Sequence, residues 1–166
     1  MDRQSQERCV EPFVSSVENL FRTMLKQTVQ PRAAQEGTPD IKDKHVRAMI
    51  KLAGDVTGSV TLVMCEDAAN EAVTAFVGMK MPFGSADMMD AAGELANMIT
   101  GGAISRLSGL KIKIGCPQVS IGPVPGSSPF TGGPGATLMF LPFGMKTGQF
   151  VVELVMNQVG ANAKAA

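Results

Sequence analysis

Glu94 and Asn97 stand three residues apart in the stretch DAAGELANMITGG, residues 90–102, and could act as a pair. A carboxylate can meet a cation, and a primary amide donates and accepts hydrogen bonds without titrating. On a helix this spacing puts both on one face, with Asp90 and Gly101 one turn to either side. The rest of the inventory removes other chemistry. His45 is the single histidine, between Lys44 and Val46, so a Ser-His-Asp or Cys-His mechanism would have to run through it. It reads as a surface residue opening a strand. Cys9, Cys65 and Cys116 are odd in number, far apart and without a CxxC pair, so they read as reduced thiols of a cytoplasmic protein. Histidine-rich or thiolate zinc sites lack their ligands. Any activity must come from carboxylates, amides and hydroxyls.

The element that must position the pair is a helix from about Asp87, capped by Ser85, to about Leu107. Met88, Ala92, Leu95, Met98, Ile99 and Leu107 form its apolar stripe. Asp90, Glu94, Asn97 and Gly101 fall on the opposite side, flanked by the small residues Ala91, Gly93 and Ala96. A helix-interior glycine costs roughly 1 kcal/mol relative to alanine, so Gly93 and Gly101 need a reason. One reason is clearance for another molecule reaching Glu94 and Asn97. The alternative is an ordinary solvated face. The spacing alone leaves both open.

The chain has 166 residues, 45% of them apolar, enough for one domain with a core. Its fifteen basic and fifteen acidic residues cancel and gather into no blocks, which argues against a nucleic-acid or membrane-surface partner. No apolar run approaches the ~18 residues of a membrane span, and the first residues lack the pattern of a signal peptide. Around the central helix the spacing predicts a helix over 13–28 with Pro12 in its first turn, a connector over 29–43, and strands at 46–52 and 59–65. A helix over 66–78 closed by Gly78, strands at 111–116, 136–141 and 149–156, and a Gly/Pro-rich loop over 122–135 complete it. The sequence GxxTG occurs twice between strands, at Gly54–Gly58 and Gly144–Gly148. The repeat points to two helix-plus-hairpin halves sharing one sheet. The fold class is therefore α+β: a mostly antiparallel sheet with long helices on one face, one domain over 11–157 and flexible ends at 1–10 and 158–166.

Asp90-x3-Glu94-x2-Asn97, with Gly101 following, resembles the D/S-x3-E-x2-N signature of the CheC/CheX/FliY family of chemotaxis phosphatases. The family's proline, about twenty residues beyond the Asn, is matched by Pro117. The likeness extends to the opening helix around Pro12-Phe13-Val14, to VRAMIKLAGDVTGSVTLVM, and to the helix ending Phe76-Val77-Gly78, covering most of 11–157. Longer members repeat the signature on the first long helix. Here Phe21, not Asn, follows Glu18 by three, so the chain is similar to single-site, CheX-like members.

The resemblance implies hydrolysis of the phosphoryl-aspartate on a CheY-like response regulator. Asn97 would hold the attacking water and Glu94 would pair with the regulator's lysine. Asp90, Gly93, Gly101 and Met89 would meet the partner's surface. No cofactor of its own is implied, Mg2+ coming with the regulator, and family likeness implies a homodimer through the sheet. The same fold in flagellar switch components leaves a non-catalytic, regulator-binding adaptor as the alternative. A small-ligand sensor using 122–135 as a flap is a third reading.

Overall fold

A computed structural model describes residues 3–37, 39–123 and 133–158. The long β-rich run of the sequence folds into a single antiparallel sheet. Its strands are β1 (Gln30–Pro31), β2 (Gln35–Glu36), β3 (His45–Gly54), β4 (Val56–Cys65), β5 (Ile112–Ile114), β6 (Gln118–Gly122), β7 (Thr137–Gly144) and β8 (Gln149–Gln158). The order is β1-β7-β8-β4-β3-β5, with β2 also on β7 and β6 also on β3. The hairpins β3–β4 and β7–β8 thus meet through their second strands, β4 against β8. This is the two-half arrangement that the repeated GxxTG turns suggest. The turns lie at opposite ends of the sheet, because the central pairing sets Val56 against Gln158 and Met64 against Phe150.

Alternation decides which side is buried. Val46, Ala48, Ile50 and Leu52 of β3 face the core, while Arg47, Met49 and Lys51 face away. Across the sheet the same side carries Leu62, Val152 and Leu141. Three helices cover it: α1 (Arg3–Leu20, continued by a π turn over Phe21–Leu25), α2 (Glu66–Val77) and α3 (Ala86–Ile104). At the end of α1, Phe21 stacks on Phe150, and Phe150 on Phe143, with 5.0 Å between ring centroids in each pair. α2 ends at Gly78 in the left-handed region (φ 85°), as its sequence predicts.

Four expectations need correction. α1 begins at Arg3, so residues 3–10 are helical rather than a loose end, and Pro12 lies inside the helix instead of in its first turn. The connector over 29–43 contributes β1 and β2, short edge pieces where Pro31 needs no ladder donor. The strand expected at 111–116 is only Ile112–Ile114, and β6 follows it unforeseen. His45 does open β3, but it is buried; its Nδ1 lies 2.7 Å from the Asp43 carbonyl oxygen, and a Cβ on Gly122 would fall 2.3 Å from its Nε2. Most of the loop expected at 122–135 (124–132) and the tail beyond 158 lie outside the described residues.

β5 and β6 together form the outer partner of β3, with one extra residue between them. Leu52 pairs with Ile114 and Met49 with Gln118, so three steps along β3 match four along its neighbour. The surplus falls at Gly115-Cys116-Pro117, a bulge that bends this edge. Pro117, Val119 and Ile121 lie on one side of the bent edge by strand alternation. That side meets α3.

Candidate functional site

α3 supplies the site. Ser85 caps it, its Oγ accepting from the Met88 backbone N–H at 3.3 Å. Met88, Ala92, Leu95, Ile99 and Ala103 are buried against the sheet. Asp90 and Glu94 are exposed, and Met89, Asn97 and Gly101 are half-buried. The structure therefore brings Asp90, Glu94, Asn97 and Gly101 onto one outward face, as their spacing predicts. Within the chain the Asp90, Glu94 and Asn97 side chains make no hydrogen bond or ion pair among the described residues. A carboxylate and an amide one turn apart on a well-packed helix thus keep their full bonding capacity for something else. Nothing lies within 4 Å of a Cβ built on Gly101, so that position is open.

Gly93 is different. It is buried, and a Cβ there would sit 3.1 Å from Pro117 Cβ and 3.2 Å from Val119 Cγ2. Its clearance serves the chain's own β6 edge, not a visiting molecule, which corrects its expected place in a docking face. The same contact puts Pro117, the proline of the signature, against the turn that carries Glu94. Val119 and the bulge were missed in the sequence. The only signal for them was the Gly-Cys-Pro interruption of KIKIGCPQVSIG.

The opposite flank of α3 meets α1. Ser16 Oγ donates to the Ile99 carbonyl oxygen at 2.7 Å, and a Cβ on Gly102 would fall 2.4 Å from that Oγ. Thr100, also buried, bonds back to the Ala96 carbonyl at 2.8 Å.

Among the described residues no three His, Cys, Asp or Glu side chains converge as metal ligands. Burial pushes the Cys9 thiol above its ordinary range, and the Cys65 thiol donates to the Gln149 carbonyl at 3.2 Å. Cys116 is exposed beside Pro117. A cleft of about 670 Å³ between α1 and residues 106–110, lined by Arg8, Glu11, Arg106 and Leu110 among others, contains none of the signature residues. No described helix is long and apolar enough to cross a membrane.

These features define a class: an α+β scaffold whose distinctive chemistry is offered on an exposed helix face, with an unsatisfied Glu/Asn pair and a proline braced beside it. The sequence model described as chemotaxis phosphatase CheX matches residues 46–124. The crystal structure of chemotaxis protein CheX from Vibrio vulnificus is similar over 90% of this chain and 99% of that one, at 26% identity and a TM-score of 0.78. CheX from Desulfovibrio desulfuricans is similar over 89% and 98%, at 25% identity and a TM-score of 0.73. The CheX of a CheX–CheY–BeF3–Mg2+ complex from Borrelia burgdorferi shares the fold at 20% identity and a TM-score of 0.69, over 89% of this chain and 97% of that one. No curated protein sequence matches the chain. The family-model match and these structures support assignment of the chain to the CheC/CheX/FliY family of chemotaxis phosphatases.

Proposed function

We propose that this protein hydrolyses the phosphoryl-aspartate of a CheY-like response regulator in the cytoplasm, as a single-site phosphatase with Glu94 and Asn97 as its working residues. The observation that carries the reading is their shared outward face on α3 with no partner among the described residues. That a fold relative is found in complex with CheY, BeF3 and Mg2+ supports the choice of substrate.

An acyl phosphate is already activated, so the protein's task is position and charge, not covalent chemistry. The regulator brings its divalent metal and a lysine. Glu94 pairs with that lysine and fixes the docking register. The Asn97 amide accepts from a water hydrogen and donates to a neighbouring phosphoryl oxygen, holding the water in line with the P–O bond to the aspartate. The water oxygen bonds to phosphorus, the aspartyl P–O bond breaks with its electron pair going to the carboxylate, and the released proton ends on the phosphate. Met89, Asp90 and Gly101 border the contact.

Asn97→Ala should remove roughly 10²-fold of the accelerated dephosphorylation, the scale of a lost positioning contact. Its binding to beryllofluoride-loaded regulator should stay close to wild type, whereas Glu94→Ala should weaken binding. Phosphate release from a phosphorylated receiver is the assay. Full acceleration by Asn97→Ala would refute the mechanism. Binding by wild type without any acceleration would leave the adaptor reading instead.

A further inference from the structure

α3 has a clearance on each flank, and their placement is not accidental to its geometry. Gly93 and Gly102 are nine residues apart, about two and a half turns at 3.6 residues per turn, so they point to opposite sides of the helix. Gly93 receives Pro117 from the bulge and Val119 from β6, while Gly102 receives Ser16 from α1. On the same helical wheel the buried row Met88, Ala92, Leu95 and Ile99 lies between the two glycines, about 50° from Gly102 and about 130° from Gly93. The row Asp90, Glu94, Asn97 and Gly101 lies on the other side, about a quarter-turn from each glycine. The helix is therefore held by the sheet beneath and by two close-packed neighbours at its sides, with the polar row left uncovered among the described residues.

Side chains at either glycine would force movement. On the α1 flank a Cβ would lie 2.4 Å from Ser16 Oγ, closer than side-chain atoms approach, and Ser16 is itself buried and bonded to the Ile99 carbonyl. On the β6 flank the neighbours are 3.1 and 3.2 Å away, a milder squeeze. Where the neighbour cannot give, the insertion displaces the helix. A roll about the helix axis swings the outermost atoms of Glu94 and Asn97 through an arc that grows with their distance from that axis.

We propose that Gly102 with Ser16, and Gly93 with Pro117 and Val119, are positioning residues that fix the rotational setting of α3, so that Asn97 meets a docked phosphoryl group in line. The inference rests on the phosphatase reading above and adds the devices that make its two working residues precise. Docking tolerates a small roll, because Glu94 has rotatable bonds with which to follow a lysine. In-line attack does not, because the short Asn97 side chain must hold a water along one direction. The wedge therefore acts on turnover more than on affinity.

The test compares wild type, Gly102→Ala, Ser16→Ala and the double variant in regulator dephosphorylation across phosphatase concentrations, with thermal melting alongside. Gly102→Ala should lower kcat at least tenfold while the half-saturating concentration moves less than threefold. The double variant, in which the added methyl occupies the place of the deleted hydroxyl, should regain the kcat of Ser16→Ala alone. A merely structural role predicts a lowered Tm with kcat per folded molecule unchanged, and that result overturns the proposal. So does a double variant no better than Gly102→Ala. Should Gly102→Ala fail to fold, Gly93→Ala, with and without Val119→Ala, reads the opposite flank with the same expected split. A wild type that accelerates nothing refutes the phosphatase reading itself. An active wild type with an equally active, folded Gly102→Ala refutes only the wedge.

Discussion

Glu153 sits on a central strand with 7% of its side chain exposed, and Arg47, 26% exposed, meets it with both terminal nitrogens, at 3.1 and 2.6 Å. The pair lies on the side of the sheet away from the helices, where β4 separates its two strands. Removing one partner leaves a largely buried charge without compensation, whereas replacing both leaves an apolar patch. Arg47→Met should cost about 3 kcal/mol in urea unfolding, less than the full penalty for a deeply buried pair because the guanidinium keeps some water. Arg47→Met combined with Glu153→Met should recover most of that loss. If the double variant is as unstable as the single, the pair's worth is not in its charge. Single residues also mark where reading a sequence stops. Glu94 and Asn97 were legible because helical periodicity alone fixes which face they share. Gly93 was legible as costly but not as buried, because no local pattern reveals that a strand 24 residues further on, at Pro117, comes to lie against it. His45 was misread for the same reason: its cover is Gly122, remote in sequence.

At the scale of elements, α2, α3 and the strands of both hairpins follow from period and caps, since each carries its own signal in contiguous residues. β6 does not, because the Gly-Cys-Pro bulge breaks the alternation that would have continued β5, and β1 and β2 are too short to show a period. Within α3 the glycines now divide by cause. Gly93 and Gly102 have neighbours that a Cβ would strike; Gly101 has none within 4 Å. An open glycine inside a helix only raises the entropy of the unfolded chain, so Gly101→Ala should stabilise the protein by roughly 0.4–1 kcal/mol. Under the proposed function the same methyl stands where the regulator approaches, so affinity for the phosphorylated receiver should fall, by about tenfold for a misfit near 1.4 kcal/mol. Melting and binding measured on one variant check both halves. A stabilised protein with unchanged affinity would remove Gly101 from the docking face.

On the scale of the whole molecule the sheet is finished on one side only. Helices bury the side bearing Val46, Leu62, Val152 and Leu141, whereas among the described residues no element lies over the side bearing the partly buried Met49, Leu138, Phe140 and Val151. The plan of two hairpins around a central β4–β8 pairing was readable from the repeated turns. Which side stays open was not, because β4 is buried along both faces from Ser59 to Met64, polar Ser59 and Thr61 included. The family likeness implies a homodimer through the sheet, and the partly exposed apolar residues among the charges of this side give such a contact its driving force. Sedimentation at micromolar concentration should therefore give twice the 17.4 kDa chain mass. Phe140→Glu, which puts a charge beside Glu153 on that side, should shift the species to 17.4 kDa without unfolding it. Dephosphorylation per chain should persist in the monomer, because α3 and its two braces lie on the other side of the sheet and come from one chain. A wild type that sediments as a monomer defeats the dimer. A dimer untouched by Phe140→Glu moves the contact to a sheet edge, where the bent β5–β6 strand pair or the short β1 and β2 would have to carry it.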